Sequence, residues 1–521
     1  MSRRAIAFIV LALAAGCGRP WPMDRLDVDV DPARLQTIEP VTAEALAAPD
    51  APPAPAPPAA ALELTLQQAR ADALANNLQL EVALLAPAIA AAQVTEAEAL
   101  FESILFGQAA YVSTEAPTVT DPTTSREEAI TAEAGISVPL RTGGQATLSV
   151  PTGRSDIDPA YQADVAFGIT QPLLRGAGLW TNAYPIRIAR GDWQVSLART
   201  RLEVIRVLAE VDRVYWRLFA ARRELDVRRR ELELAEAQLQ RARRQVEVGM
   251  AAEIEILRAQ AGAAERVEAV IVAENLVRLR QRDLKRLLNR PDLELTGPTA
   301  VVPVTDPVVM PVDPQPSRLT EVALERRMEM LELEIRIAQD ASTIDLARNA
   351  ALPVLALDYQ YNLNGLGDRL GDAFDMIGRG DFQSHRAGLV LEVPLGNQAA
   401  QSRLRRAVLE RLGRLATRRR QADQIRQEVH DATDALLAAW QRVLAAGEQV
   451  ALAERVVAAE QRQFDLGLRT STDVLDAQAR LAAARSAEIR AVTDYQIALV
   501  DIAYATGTLL GWARVHWEPG P

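Results

Sequence analysis

Apolar residues recur at every seventh position over two long stretches of this chain, and this period constrains the fold more than any other feature. The two stretches are 197–246 and 408–464. A seven-residue apolar period predicts supercoiled helices, because it keeps one apolar seam facing a partner helix. The first helix, from about Asn182 to Val248, would be about 100 Å long, and few globular domains could contain it.

Each apolar seam leads to a glycine three residues after its last apolar member. These glycines are Gly249 and Gly467, and periodic segments rich in Ala and Leu follow both of them. A glycine that ends one helix before another begins is typical of a hairpin turn. We therefore predict two helical hairpins with tips at 246–256 and 464–474. A coiled-coil scaffold rod would show the same heptads.

The two hairpins belong to an internal two-fold sequence repeat. The motif that starts at Gly249 recurs at Gly467, and the Pro-Leu pair at Pro172 recurs at Pro394 with nearly the same offset. Seven prolines within 291–316 predict a linker between two halves. The predicted organisation is a first repeat at 62–290, the linker at 291–316, a second repeat at 317–512 and a C-terminal tail at 513–521.

In each half, the apolar period changes from about 3.6 to 2 between the opening helix and the long helix. These strand regions are 102–174 and 352–395, and at 162–170 apolar side chains alternate with mostly polar ones. Alternation over about nine residues fits the length of a transmembrane β-strand. The sequence thus predicts a mainly α fold with a transmembrane β segment, with a β-sandwich on a helical stalk as the alternative.

The strand region of the first half carries about 28 more residues than that of the second. Leu140–Gly144 predicts a tight turn within it, because paired glycines favour a sharp reversal. We predict an added hairpin at about 130–150, which either widens a barrel or lies above it. The glycine-containing segment Gly365–Gly371 lies between two strands and is predicted to be an extracellular loop.

The N-terminus has the layout of a signal peptide at 1–17, with Arg3 and Arg4 before a short apolar stretch. It ends at Cys17, in a segment that resembles a bacterial lipobox. That resemblance implies that Cys17 is lipidated and anchors the mature protein to the outer membrane. A chance cysteine behind an ordinary signal peptide is the alternative. The next region, 18–61, is a proline-rich tether.

The composition argues against several classes of function. Acidic residues outnumber basic ones to give a net charge of −11, which argues against nucleic-acid binding. One cysteine cannot form an internal disulfide or a Cys-rich zinc site, and the three histidines lack metal-ligand spacing. We therefore expect no catalytic residue, no cofactor and no metal site, and we do not expect an enzyme.

The stretch Phe464–Gln478, followed by Leu481 and Tyr495, is the most specific motif in the chain. Over about 62–512 the sequence resembles the TolC-type outer-membrane efflux proteins of the outer membrane factor lipoprotein family. The resemblance implies a homotrimer in which the strands form one outer-membrane β-barrel and the helices form one long periplasmic α-barrel.

The same resemblance implies a function. It implies a passive exit duct of a tripartite efflux pump or a type I secretion system, gated at its periplasmic tip. A periplasmic adaptor and an inner-membrane transporter would be the partners, and outer-membrane lipid would surround the strands. A lipid-anchored coiled-coil scaffold or adaptor without a pore is the alternative.

The resemblance also implies roles for residues at the two tips. Asp473 and Asp476 match the aspartates that ring the periplasmic entrance, and Arg469 matches the arginine that holds the entrance shut. Glu255 has the corresponding acidic position at the first tip. Three copies of two carboxylates around a narrow opening would favour cations. A plain alternative is that Thr472 or Asp473 caps a helix.

Adaptor docking is expected at the tip turns, around Gly249, Gly467 and Phe464. Phe464 and Ile254 stand where the best-known family member has hydroxyl-bearing residues, so two hydroxyl groups of the closing network are missing. An ion pair between Arg469 and Glu255 is our hypothesis for what replaces them.

Overall fold

The computed structural model describes residues 61–116, 125–155, 159–249, 252–466, 468–469 and 471–515. The predicted signal peptide, Cys17, most of the tether and Gly467 lie outside the described residues. The helices are α1 Leu66–Asn76, α2 Leu78–Ala99, α3 Leu179–Asn182, α4 Tyr184–Glu247, α5 Ile254–Leu288, α6 Pro316–Arg326, α7 Met328–Ala350, α8 Leu370–Arg379, α9 Gln398–Asp465, α10 Ser471–Ala505 and α11 Leu509–Trp512. The strands are β1 Ala61–Leu64, β2 Ile104–Ala116, β3 Ser125–Pro139, β4 Gln145–Ser155, β5 Tyr161–Pro172, β6 Ala300–Pro303, β7 Val354–Gly367 and β8 Gln383–Glu392.

The mainly helical fold with a separate sheet is confirmed, and the first long helix lies close to its predicted position. α4 has 64 residues and α9 has 68. The apolar seam of α4 is its buried face, since Val204, Val211 and Leu218 are almost fully inaccessible to solvent. Each such side chain contributes about 1.5–3 kcal/mol when it is buried, so the seam fixes which side of the helix packs inward.

α4 ends where the sequence predicts a turn. The amide of Val248 donates to the carbonyl oxygen of Arg244, and Gly249 follows with φ +71°. This left-handed backbone conformation favours glycine, because a Cβ atom would strain it. α5 then begins at Ile254 and packs along α4.

The larger sheet contains six strands in the order β2-β3-β4-β5-β7-β8, and every neighbouring pair is antiparallel. The predicted extra hairpin is therefore β3 and β4, which lie inside the sheet between β2 and β5. The turn between them is the predicted one, closed by the amide of Leu140, which donates to the carbonyl oxygen of Gly144 at 2.8 Å.

Two segments differ from their predictions. Gly365–Gly371 was expected to be a loop, but its first three residues end β7 and helix α8 begins at Leu370. α8 packs so closely on β7 that a Cβ atom at Gly365 would lie 2.2 Å from the carbonyl oxygen of Ala373. The linker also holds a strand, β6, which pairs in parallel with β1. Four-residue strands carry too little periodic signal to be predicted.

A polar cluster joins the helices away from the tips. Arg327, between α6 and α7, is buried and forms ion pairs with Glu329 and with Glu428 of α9. In the first half of the chain, the buried guanidinium of Arg70 from α1 donates to Asp212 of α4 at 2.8 Å. These contacts connect the short helices of each half to its long helix.

Candidate periplasmic gate and membrane sheet

The tip of the second hairpin holds Arg469 against the end of α9. Its Nε atom donates to Oε1 of Gln463 at 3.0 Å and lies 3.2 Å from Oε2 of Glu460. The side chain of Arg469 is 47% exposed, whereas that of Glu460 is 21% exposed. The turn after α9 thus folds this arginine back along the helix that precedes it.

Asp473 and Asp476 lie at the start of α10. The helix begins at Ser471, so Thr472 and Asp473 are in its first turn, and capping by either residue stays a prediction. The positive end of the helix dipole favours a carboxylate at this place. Asp476 follows Asp473 by three positions, which puts both on one side of the helix. Asp476 is exposed.

A cavity of about 460 Å³ lies between α4, α5 and the start of α10. Asp476 and Thr472 of α10 line it from one side, and Arg258 and Arg266 of α5 line it from the other. Glu265 of α5 also lines it, and both arginines have carboxylate partners on their own helix, Arg258 with Glu255 at 2.8 Å and Arg266 with Glu265 at 3.1 Å. The cavity thus places the start of α10 beside α5 within one chain.

Glu255 lies in the first turn of α5, as predicted for an acidic tip position. Its Oε1 accepts a hydrogen bond from Nη1 of Arg258 at 2.8 Å. Among the ion pairs of the described residues, Arg469 is paired with Glu460 and the hypothesised pair of Arg469 with Glu255 is not found. A pair between neighbouring copies stays a prediction.

The structure describes most, but not all, of the remaining predicted tip residues. Gly249 forms the first turn, and Phe464, in the last turn of α9, is half-buried. Ile254, the first residue of α5, is exposed. Gly467 lies outside the described residues, so its role in the second turn stays a prediction.

Sequence reasoning missed four residues of this site. Arg258 could have been found, because it stands three residues after Glu255 on the same helix face. Arg266 belongs to the cavity only through packing of α5 beside α10. Glu460 and Gln463 precede the turn, and only the folded turn brings Arg469 back to them.

The six-stranded sheet has one apolar face and an opposite face that is mostly polar on β3, β4, β5 and β7, whereas on β2 the opposite face also carries Ile104, Phe106 and Val112. The apolar face carries Leu105, Ala109, Tyr111, Ile130, Ile136, Val138, Leu148, Val150, Val165, Phe167, Ile169, Leu355, Leu357, Tyr359, Tyr361, Leu389 and Leu391. On the polar face, side chains pair between strands. These pairs are Gln108 with Glu133 at 2.6 Å, Gln145 with Ser137 at 2.6 Å and Thr170 with Asp358 at 2.9 Å. The wall of a membrane β-barrel has the same arrangement, with apolar side chains toward lipid and polar side chains toward the water-filled interior.

Among the described helices, α2 is long and apolar enough to cross a membrane, by length and composition alone. It is mostly exposed, and Leu78, Val82, Leu85 and Ile89 form one apolar stripe along it. Within the same described residues, no group of three or more His, Cys, Asp or Glu side chains could hold a metal ion.

Comparison with known proteins agrees with this arrangement. Residues 319–508 match the outer membrane efflux protein family. This match lies in the second half of the chain and covers less than half of its length.

Two relatives and one solved structure show how far the similarity to efflux proteins extends. The alkaline protease secretion protein AprF of Pseudomonas aeruginosa is 34% identical over 172 residues. The aligned part is 32% of this chain and 34% of AprF, so the chain spans about a third of AprF. The outer membrane protein TolC of Vibrio cholerae is 25% identical over 308 residues, covering 58% of this chain and 68% of TolC. The outer membrane channel CmeC of Campylobacter jejuni shares the fold, with a TM-score of 0.64 at 16% identity over 85% of this chain and 86% of CmeC.

The similarity to TolC-type outer membrane efflux proteins is therefore established for this chain, as is its location. The protein belongs to the outer membrane, with its helical part in the periplasm.

Proposed function

We propose that three copies of this chain form a passive duct through the outer membrane, which serves as the exit of a tripartite efflux pump or a type I secretion system. The observation that supports it most is the continuous apolar face of the six-stranded sheet, opposite a polar face and attached to helices of 64 and 68 residues. The sheet would form a wall between lipid and water, and the helices would extend the lumen across the periplasm.

More than one copy is needed to make this duct. A single sheet leaves β2 and β8 as edges, and unpaired main-chain groups at such edges cost several kcal/mol each in lipid. The apolar stripe of α2 is likewise left exposed by the residues that the structure describes. Joining copies edge to edge would pair the strands, and joining them side by side would cover this stripe.

The periplasmic tip would be the gate. Asp473 and Asp476 would be repeated in each copy around the narrow end, which would make a strongly negative opening that favours cations. Arg469 would help to keep it closed by holding the turn against α9, through Glu460 and Gln463. Glu255 would contribute from the first tip.

Opening would depend on other proteins. A periplasmic adaptor would dock at 246–256 and 464–474, near Gly249, Phe464 and Gly467, and an inner-membrane transporter would supply the energy. The match to AprF, a protease secretion protein, favours secretion, whereas the matched family is named for efflux. Lipidation of Cys17 would add a membrane anchor.

The alternative function is a lipid-anchored scaffold or adaptor without a pore. The long helices would suit it equally well. The apolar face that runs over all six strands would have no purpose in a scaffold, because a water-exposed sheet does not keep such a face uncovered.

Two neighbouring residues of β8 allow a matched test of the duct. Gly388 is on the polar face, where an added Cβ atom meets no atom within 4 Å, and Leu389 is on the apolar face and is exposed. Gly388→Cys and Leu389→Cys proteins would be reconstituted in planar bilayers and treated with a charged, water-soluble thiol reagent. Protein without either substitution is the control for Cys17.

The duct predicts that the reagent lowers the current through the Gly388→Cys protein and leaves the Leu389→Cys current unchanged. Equal modification of both cysteines, without effect on current, would contradict a lumen on the polar face. Absence of current from all three folded proteins would favour the scaffold.

A further inference from the structure

We propose that the β3–β4 hairpin widens the barrel, so that three copies close an eighteen-stranded barrel through β2 of one copy and β8 of the next. The inference rests on the proposed function, from which it takes the three copies. The second half of the chain supplies only β7 and β8 to the sheet, whereas the first half supplies β2, β3, β4 and β5. The question is whether the two additional strands form part of the membrane wall.

The hairpin is an integral part of the sheet. β2 pairs along its whole length with β3, from Ile104 opposite Ser137 to Ala116 opposite Ser125. β4 pairs with β5 from Gln145 opposite Thr170 to Ser149 opposite Ala166, and again at Thr152 opposite Ala163 and Gly153 opposite Gln162. Because strands lie about 4.8 Å apart, the hairpin separates β2 from β5 by about 14 Å. A hairpin above the barrel would leave those two strands paired with each other.

The apolar face of the sheet continues from β2 through the hairpin to β5 and β7. Leu105, Ile136, Leu148, Phe167 and Tyr361 form one row of apolar side chains across five strands. On the opposite face, Glu133 of the hairpin accepts a hydrogen bond from Gln108 of β2, and Gln145 donates to Ser137 within the hairpin. The added strands thus have the same lipid side and water side as their neighbours.

The hairpin also has the right height and position. β3 has 15 residues and β4 has 11, and a tilted strand needs about 9–11 to cross the bilayer. Its turn lies at the helical end of the sheet, where the amide of Gly178 donates to the carbonyl oxygen of Thr142 at 3.0 Å. A Cβ atom at Gly143 would lie 2.2 Å from the carbonyl oxygen of Gly176. The hairpin therefore spans the sheet and is fixed to its base.

The edges of the sheet can meet between copies. With six alternating strands, β2 and β8 run in opposite directions, so a seam between two copies would be antiparallel like every other pair in the sheet. Both edge strands are exposed, and both put large apolar side chains on the same face, Leu105 and Tyr111 on β2 and Leu389 and Leu391 on β8. A second copy of this chain is the partner that fits each edge.

The strand count determines the width of the barrel. At a spacing of about 4.8 Å and a tilt of about 40°, eighteen strands give a diameter of about 36 Å. Twelve strands, four from each copy, would give about 24 Å. Barrels of 16–18 strands contain an aqueous channel. The narrow tip would still limit the current, so the diameter and not the conductance reports the strand count.

The test is electron cryomicroscopy of the full-length protein in lipid nanodiscs, beside a variant that lacks Ser125–Ser155. This deletion leaves β2 and β5 antiparallel and able to pair. We expect the wild-type barrel to have the diameter of eighteen strands and the variant barrel to have the diameter of twelve, which is a third narrower.

A wild-type barrel with the twelve-strand diameter, and with the hairpin outside its wall, would overturn the inference and leave the duct intact. Particles without a membrane-spanning ring would overturn the proposed function as well. If the deletion variant does not fold, the wild-type diameter alone decides between eighteen and twelve strands.

Discussion

Arg469 lies 3.2 Å from a carboxylate oxygen of Glu460, across the turn that joins α9 to α10. Exposed ion pairs of this kind contribute about 0–1 kcal/mol to stability. Their effect here should therefore appear in the shape of the tip and not in the stability of the fold.

Replacing Arg469 should loosen the second tip. We expect Arg469→Ala to raise single-channel conductance in planar bilayers and to change the melting temperature little. Arg462→Ala is the matched control, because Arg462 is at the same helix end and its Nε donates to the carbonyl oxygen of Ala458. Equal conductance changes in both variants would contradict a specific role for Arg469.

Arg469 and Glu255 should be coupled if they meet between copies in the closed trimer. A double-mutant cycle of Arg469→Ala and Glu255→Ala, read by single-channel conductance, measures this coupling. We expect the double variant to differ from the sum of the single effects. Strict additivity would show that each residue acts only through its partner within the chain, Glu460 or Arg258.

Lys285 should stabilise the linker between the two halves. Its ammonium group is buried and donates to the carbonyl oxygens of Glu294 and Gly297 at 3.1 and 2.9 Å. Removing a charged donor from such oxygens costs about 1.5–3 kcal/mol. Lys285→Met should therefore lower the melting temperature, whereas Arg286→Met, at the next and exposed position, should not. Equal melting temperatures for both variants would contradict this role.

Stability should fall in acid through the cluster at Arg327. Burial disfavours the charged form of Glu329, but hydrogen bonds and the charge of Arg327 outweigh it and lower the pKa of Glu329 below its ordinary value of 4.5. Because this pKa is lower in the folded state, the Glu329 carboxylate contributes to the free energy of unfolding above pH 4.5. That contribution is lost as the pH falls through the pKa of Glu329 in the folded state.

The destabilisation caused by Glu329→Gln should thus be larger at pH 7 than at pH 3, as measured by thermal unfolding at both values. Glu334→Gln, at an exposed ion pair with Arg418, should have a small effect throughout. A Glu329→Gln effect that is the same at pH 3 and pH 7 would contradict the shifted pKa.

Local sequence periods predicted the elements that are long and regular. The heptads of α4 gave its buried side and its end near Gly249, and the alternation around 162–170 gave strand β5. These features depend on residues close in sequence, which is why the pattern is sufficient.

Contacts between distant segments could not be predicted in this way. The pairing of β1 with β6 joins residues more than 230 positions apart. The sequence predicts an added hairpin, but not that its strands β3 and β4 lie between β2 and β5 in the sheet. Helix α8 was missed because its glycines resemble a loop, although packing of Ala373 on Gly365 keeps it in place. The same limit applies to Arg469, whose neighbours depend on the shape of one turn.

Single-channel recording of purified, full-length trimers in planar bilayers tests the central claim most directly, with wild type beside the Asp473→Ala/Asp476→Ala variant. A gated duct predicts small cation-selective current steps for the wild type, and larger, less selective steps once the carboxylates are removed. Folded trimers that give no current steps in either form would contradict the duct and support a scaffold.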